Sequence, residues 1–147
     1  ISQSKKIFLV FGQIAEYKGI KELLSIFNKI EDDFILIIAG KIKHDNDVYF
    51  SEIKYLLKNK KVIVLDSFIP LENIPILFNL SDYVVFNYKD ILTSGAVILS
   101  LNYKKTTIAP NKGCIKDIGN KKLVTFNTEE ELHSILLNEI EKESKKD

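Results

Sequence analysis

The chain has 147 residues, of which 46% are hydrophobic and 28% charged, the balance of one globular domain with its own core. Its net charge of +1 argues against nucleic-acid partners, because non-specific binding to nucleic acid needs a basic field. The lone Cys114 excludes an intramolecular disulfide and a multi-cysteine metal site, and no apolar run reaches the roughly 18 residues that span a membrane. We therefore expect a single domain over residues 1–147, without a transmembrane segment.

Six runs of four to six residues, most of them apolar, predict buried strands. In chain order they cover residues 7–10, 34–39, 62–65, 83–86, 106–109 and 123–126. Between them, apolar residues recur at helical spacing and predict five helices, each with one inward face. We expect these faces to consist of Ile20, Leu23, Leu24, Phe27 and Ile30, then Phe50, Ile53, Leu56 and Leu57, then Ile74, Leu77, Phe78 and Leu80, then Val97, Ile98 and Leu101, and finally Leu132, Ile135, Leu136 and Ile140.

The alternation of strands and helices predicts the fold class. Strands that are apolar along their whole length are typical of a parallel sheet with helices on both faces. Six strands in this rhythm predict a doubly wound, Rossmann-like α/β sheet in the order 3-2-1-4-5-6. In that order strands one and four are neighbours where the winding reverses, and ligands bind beyond their carboxyl ends. Before the last helix, Thr128 with Glu131 predicts a capping box.

The loop after the first strand contains Gly12, Lys18 and Gly19 and leads directly into the first helix. A glycine allows close approach of the backbone, and a lysine beside the free amides of a helix start suits an anion, most often a phosphate. The alternative is an ordinary turn between strand and helix, with steric glycines and a solvated lysine.

The loop after the fourth strand ends in Thr93-Ser94-Gly95-Ala96, which opens the next helix. Exposed amides and hydroxyls at such a position can hold phosphate oxygens, although plain capping by Thr93 or Ser94 is the common role of these residues. Neither loop has the spacing of a dinucleotide fingerprint or a P-loop. In the predicted strand order the two loops lie on either side of the crevice, which favours an anion site over two unrelated turns.

Several short motifs, in this order, resemble the donor-binding domain of GT-B glycosyltransferases of family GT4. They are Phe11-Gly12, Tyr17-Lys18-Gly19-Ile20, Ile38-Ala39-Gly40, Phe68-Ile69-Pro70, Ser81-Asp82, Asn87-Tyr88 leading to Thr93-Ser94-Gly95, and Thr107-Ile108-Ala109 with Gly113. The resemblance covers nearly the whole chain.

The resemblance implies a site for a nucleotide-diphosphate sugar. Members of the family bind this donor without a metal, so the resemblance implies no cofactor. It also implies a role for each matching position. The diphosphate would be contacted by Gly12, Gln13 and Lys18 from one side and by Ser94, Gly95 and Ala96 from the other. Phe68, Ile69 and Pro70 would flank the base, and Ser100 would flank the ribose. Asp90 and Thr93 are candidates for contact with the sugar, and the alternative for Asp90 is a solvated loop carboxylate.

The function that the resemblance implies is transfer of the sugar to a hydroxyl acceptor by a retaining glycosyltransferase, for example in cell-surface polysaccharide synthesis. The partner would be an N-terminal acceptor-binding domain of a longer parent chain, and any contact with a membrane surface would be made by that half. We expect a cytoplasmic location, and little activity from this domain alone.

The sequence also departs from the family pattern. Gln13 and Ala15 stand where the family often has arginine, and Leu92 and Ser100 stand where it has paired glutamates. A non-catalytic scaffold or regulatory domain of the same fold is therefore the alternative hypothesis. A phospho-acceptor receiver domain is set aside, because the first strand ends in Phe11-Gly12 rather than in acidic residues.

Overall fold

The computed structural model describes residues 5–15, 18–42, 47–57, 59, 61–89 and 95–142. Strands and helices alternate along the chain, as the apolar pattern predicts. Their bounds are β1 Lys6–Phe11, α1 Ile20–Asn28, β2 Phe34–Ala39, α2 Asp47–Leu56, β3 Val62–Leu65, α3 Ile74–Leu80, β4 Tyr83–Val85, α4 Gly95–Asn102, β5 Thr106–Pro110, β6 Leu123–Phe126 and α5 Glu129–Glu141. Among these elements we find no helix with the length and hydrophobicity needed to span a bilayer.

The six strands form one sheet in the order β3-β2-β1-β4-β5-β6, which confirms the predicted topology. Every pairing between neighbouring strands is parallel. In β1, Phe8 is in register with Leu36 of β2 on one side and with Tyr83 of β4 on the other. Because all strands point the same way, their carboxyl ends form a single edge, and the reversal of winding falls between β1 and β4.

Two apolar cores, one on each face of the sheet, explain why the central strands are apolar throughout. The edge strand β3 was expected to be buried as well, but its Ile63 and Leu65 are 47% and 38% exposed, because no strand covers its outer side. Phe8 and Val10 face the core covered by α1, α2 and α5, whereas Leu9 faces the core covered by α3 and α4. Phe8 and Leu9 are both completely buried. The ring of Phe8 stacks on Tyr83 with centroids 4.8 Å apart and meets the edge of Phe27 at 5.4 Å. Alternate strand residues therefore stabilise opposite faces.

The predicted helix faces are mostly correct. All five inward residues expected on and just after α1 are at most 4% exposed. Among the side chains that the structure describes, which do not include that of Phe50, two were predicted wrongly: Leu80 in α3 is 54% exposed and Ile98 in α4 is 45% exposed. The buried side of α3 is centred on Leu77 and Phe78, and at about 100° per residue Leu80 lies well outside it. Ile98 directly follows the buried Val97 and is therefore turned away by the same angle.

The start of α5 has the predicted capping interaction. Thr128 Oγ1 accepts a hydrogen bond from the backbone N–H of Glu131 at 3.1 Å. Glu131 Oε1 in turn accepts from the N–H of Asn127, one residue before the cap, at 2.8 Å. The two side chains satisfy backbone donors that the first turn of a helix leaves unpaired.

The end of α5 is fastened to the amino edge of the sheet. The Tyr83 hydroxyl donates a 2.7 Å hydrogen bond to Glu139 Oε1. Lys6 Nζ donates to the backbone carbonyls of Glu139 and Lys142, both at 2.8 Å. These contacts lie at the edge opposite the predicted crevice, so they serve the packing of α5 and leave the carboxyl edge open.

Candidate functional site

Two glycines bring the loops after β1 and β2 into direct contact at the carboxyl edge. Gly12 has φ +115° and donates its N–H to the carbonyl of Ala39 at 3.0 Å. Gly40 has φ +153°, and a Cβ there would overlap the carbonyl of Gly12. The next residues continue the contact, because the N–H of Ile14 donates to the carbonyl of Lys41 at 2.9 Å. Backbone contacts therefore hold the first residues of the loop after β1 against the loop after β2.

Lys18 places its ammonium group over Gly12. A Cβ on Gly12 would lie only 2.7 Å from Lys18 Nζ, so the missing side chain provides the space that the ammonium occupies. The same nitrogen lies 5.9 Å from the centroid of the Tyr88 ring, just beyond β4. Burial lowers the pKa of Lys18, because desolvation disfavours the charged form. The ammonium thus lies between the ends of β1 and β4, at the reversal of winding.

Asn87 fastens the start of α1 to the end of β4. Its Nδ2 donates a 3.0 Å hydrogen bond to the carbonyl of Gly19, the residue that follows Lys18. Gly19 has φ +63°, and a Cβ there would overlap the Asn87 carbonyl. Asn87 belongs to the Asn87-Tyr88 motif, but the sequence alone assigns it no role. An asparagine directly after a predicted strand at the switch point is the signal that could have identified it.

The second predicted anion loop is described only in part. Gly95 and Ala96 form the first residues of α4, and no described atom lies within 4 Å of where a Cβ on Gly95 would sit. Packing therefore does not require a glycine at this position. Asp90, Thr93 and Ser94 lie outside the described residues, as does Leu92.

The remaining predicted contacts are split between exposed and buried positions. Gln13 is exposed on the loop after β1. Phe68 is 80% exposed on the loop after β3, Pro70 beside it is exposed, and Ile69 is partly buried against the core under α3 and α4. Because β3 is separated from β1 by β2, this loop lies at the outer end of the same carboxyl edge.

Ser100, which the resemblance places at the ribose, is completely buried. Its Oγ lies 2.6 Å from Thr107 Oγ1, and the Thr107 hydroxyl donates to the carbonyl of Lys105 at 3.0 Å. The hydroxyl pair joins α4 to β5. Ser100 has no exposed surface to offer a ribose in this structure.

A cleft of about 140 Å³, lined by both charged and apolar side chains, lies beyond the ends of β4, β5 and β6. Its walls include Glu22, Asn87, Tyr88, Lys89 and Lys112, together with the start of α5. Lys89 Nζ lies 3.0 Å from Glu22 Oε2, and Lys112 Nζ donates to the carbonyl of Lys89 at 3.1 Å. No group of three or more metal-ligating side chains occurs within the described ranges.

The fold and this edge define a doubly wound α/β domain with a lysine-bearing loop at its switch point. The chain belongs to the glycosyl transferases group 1 family, whose model matches residues 1–139. A comparison with curated protein sequences returns no significant match.

Solved structures with the same fold include glycosyltransferases. The chain is similar to the C-terminal domain of the glycosyl transferase group 1 family protein LpcC from Francisella tularensis, with a TM-score of 0.71 and 20% identity over 91% of this chain and 74% of that one. It is similar to HepE from Anabaena, solved in complex with UDP and glucose, with a TM-score of 0.79 and 17% identity over 93% of this chain and 39% of that one. For sucrose-phosphate synthase from Thermosynechococcus elongatus the TM-score is 0.78 and the identity 14%, over 94% of this chain and 37% of that one. The chain therefore spans less than two fifths of the length of the last two proteins.

Proposed function

We propose that this chain is the donor-binding, C-terminal half of a retaining GT-B glycosyltransferase of family GT4. In this proposal it binds a nucleotide-diphosphate sugar whose sugar is transferred to a hydroxyl acceptor. One observation carries the proposal: Lys18 Nζ lies over Gly12 between the ends of β1 and β4, where ligands of doubly wound folds bind.

The environment of Lys18 favours an anion as its ligand. Burial already weakens the charged form of the side chain, so an anion that approaches the ammonium restores a favourable interaction. Gln13 on the same loop is exposed and within the same edge of the sheet. In the proposal, Gly12, Gln13 and Lys18 contact the diphosphate from the side of β1, and Ser94, Gly95 and Ala96 contact it from the start of α4.

The base and sugar contacts are proposed from chain positions. Exposed surface on Phe68 and Pro70, with Ile69 behind them, offers an apolar wall to a nucleobase. Asp90 and Thr93 remain the candidates for the sugar. Ser100 has no exposed surface, so we assign it no contact with the ribose. UDP is the first nucleotide to test, because HepE was solved with UDP and glucose.

The proposed chemistry needs no metal from this chain. When the bond between the anomeric carbon and the diphosphate oxygen breaks, negative charge grows on the leaving diphosphate. Lys18 and the amides at the start of α4 would stabilise that charge, which is the usual way a fixed site lowers such a barrier. The acceptor would be bound by an N-terminal domain of the parent chain, so this domain alone would turn over little. A cytoplasmic enzyme of polysaccharide synthesis is part of the proposal.

Isothermal titration of the full-length protein with UDP, GDP and ADP tests the proposal. We expect saturable binding of one of these nucleotides. The corresponding free nucleoside, which lacks the diphosphate, should bind more weakly. Binding of none at millimolar concentration would favour the second candidate, a non-catalytic scaffold of the same fold. One observation favours that candidate: Ser100, at the position of a family glutamate, is buried and bonded inside the fold.

A further inference from the structure

The cleft beyond β4, β5 and β6, called the Glu22 cleft below, contains an unsatisfied carboxylate oxygen. Glu22 lies in the first turn of α1, and its Oε2 pairs with Lys89 Nζ at 3.0 Å. The other oxygen, Oε1, is buried and accepts no hydrogen bond from the part of the chain that the structure describes. A buried acceptor without a donor is costly, so Oε1 marks a place for a donor from solvent or from a ligand.

The charges around this oxygen restrict the class of ligand. A phosphate or carboxylate would be repelled by Glu22, whose two oxygens accept hydrogen bonds but cannot donate them. A metal ion or an organic cation would meet the ammonium groups of Lys89 and Lys112, which lie in the walls of the same cleft. The walls thus combine a strong acceptor with strong donors. A neutral group whose neighbouring atoms both donate and accept hydrogen bonds, such as a pair of hydroxyls, fits this combination.

The cleft is also large enough and correctly placed. Its volume of about 140 Å³ is several times larger than the roughly 10–15 Å³ that a single water needs. Tyr88 is shared between the two sites, because its ring lies near Lys18 Nζ and also lines the Glu22 cleft. Asn87 lines the cleft too, while its Nδ2 holds the carbonyl of Gly19. A group attached to a phosphate at Lys18 would therefore have the cleft within its reach.

We propose that the Glu22 cleft binds the hydroxyls of a carbohydrate, with Glu22 Oε1 accepting from a sugar hydroxyl and Lys112 donating to an adjacent one. This inference rests on the proposed function, and it adds a second polar subsite contributed by α1 and by the loop after β5. Two sources supply the same chemistry, the sugar of the donor and a carbohydrate acceptor. Separate titrations of nucleotide sugars and of simple hexosides distinguish these two sources.

The test compares Glu22→Gln with the unaltered full-length protein. Glutamine keeps the size of the side chain but removes its charge, so a hydrogen bond to a carboxylate becomes a weaker neutral one. In the first arm, UDP-glucose and GDP-mannose are titrated beside UDP and GDP. In the second arm, methyl α-glucoside and methyl α-mannoside are followed by saturation-transfer NMR with and without nucleotide. Glu52→Gln is the matched control, because it also removes an ion-paired glutamate, but an exposed one in α2, where Glu52 pairs with Lys21 of α1.

If the donor sugar occupies the cleft, Glu22→Gln lowers the affinity for the nucleotide sugar by about tenfold or more and changes the affinity for the nucleoside diphosphate by less than about twofold. If an acceptor occupies it, only the hexoside signal is lost. Either result supports the cleft, provided that Glu52→Gln changes neither. The proposal is overturned if Glu22→Gln lowers the affinities for nucleotide sugar and for nucleoside diphosphate equally, or if it changes nothing in either arm. If the unaltered protein binds hexoside but no nucleotide, and Glu22→Gln loses the hexoside signal, the cleft stands and the nucleotide-sugar function falls. If the unaltered protein binds neither, both fall.

Discussion

Lys18 Nζ occupies the space that a side chain on Gly12 would need, since a Cβ there would lie 2.7 Å from the nitrogen. The glycine and the lysine therefore act as a pair: one leaves room at the end of β1 and the other fills it with a partly buried charge. Because Tyr88 bounds the same space from the side of β4, the pair lies at the reversal of winding.

Lys18→Ala should weaken binding of a nucleoside diphosphate by about tenfold to a hundredfold. A hydrogen bond to a charged group contributes roughly 1.5–3 kcal/mol, which corresponds to that range. Binding of the free nucleoside should barely change, because it lacks the phosphates. Lys18→Arg should retain part of the affinity, since it keeps the charge but not the compact ammonium. Lys54→Ala, at an exposed position of α2, is the control for titration calorimetry. Unaltered diphosphate affinity in a folded Lys18→Ala protein would reduce the loop after β1 to a structural turn.

Gly12→Ala should lose both stability and diphosphate affinity. Its φ of +115° is strained for any L residue, at about 1–3 kcal/mol, and the new methyl would displace the Lys18 ammonium. Gly119→Ala is a matched control, because Gly119 has φ +60° but no described atom within 4 Å of the added Cβ. Urea unfolding should show a loss for both variants, whereas calorimetry should show an affinity loss for Gly12→Ala alone. Equal affinities for the two variants would contradict the pairing of Gly12 with Lys18.

Asn87→Ala should lower diphosphate affinity several-fold by releasing the start of α1. The hydrogen bond from Nδ2 to the Gly19 carbonyl should contribute about 0.5–1.5 kcal/mol to stability. Asn28→Ala is the control, because Asn28 Nδ2 also donates to a backbone carbonyl, that of Leu56, at 3.4 Å on the surface. If Asn87 acts through Lys18, the double variant Asn87→Ala with Lys18→Ala should bind no more weakly than Lys18→Ala. Additive losses in this cycle would refute that coupling.

The ionisation of Glu139 should make the stability of the fold vary with pH in the acid range. Burial opposes its charged form, but hydrogen bonds from Lys142 and Tyr83 outweigh burial and lower the pKa of Glu139 from 4.5. A carboxyl whose pKa is lower in the folded state stabilises above its unfolded pKa, and that contribution disappears as the pH falls through the folded value. The free energy of unfolding should therefore decrease as the pH falls below 4.5.

Glu139→Gln should flatten this part of the pH profile, measured by urea unfolding at a series of pH values. Tyr83→Phe should remove about 1 kcal/mol at neutral pH, since it deletes the hydroxyl that donates to Glu139 at 2.7 Å. Glu130→Gln, on the exposed first turn of α5, serves as the control. A profile for Glu139→Gln that matches that of the unaltered protein would show that another carboxylate governs the acid transition.

The sequence by itself determined the strands, most helix faces and the topology. Strand 34–39, for example, was predicted with its observed bounds, because a run of six apolar residues between Asp33 and Gly40 is typical of a strand buried on both faces. The order of the strands followed from the doubly wound pattern that six strands alternating with helices indicate. Local spacing suffices for these features, since a period of two or 3.6 residues is visible in a short window. It failed at Leu80 and Ile98, which lie on the flanks of short helices where one residue more or less decides burial.

Only the tertiary structure decided which residues share the carboxyl edge. Lys18 was identified from its own loop. Its contact with Tyr88 and the hydrogen bond from Asn87 to the Gly19 carbonyl, however, join distant segments of the chain, and Asn87 and Gly19 are 68 positions apart. The pairing of Glu22 with Lys89 and the burial of Ser100 against Thr107 were equally invisible in the sequence. Such contacts depend on strand register and on the rotation of each helix over the sheet. A single side chain of ordinary type carries no local mark of either, so the second subsite emerged only when the chain was folded.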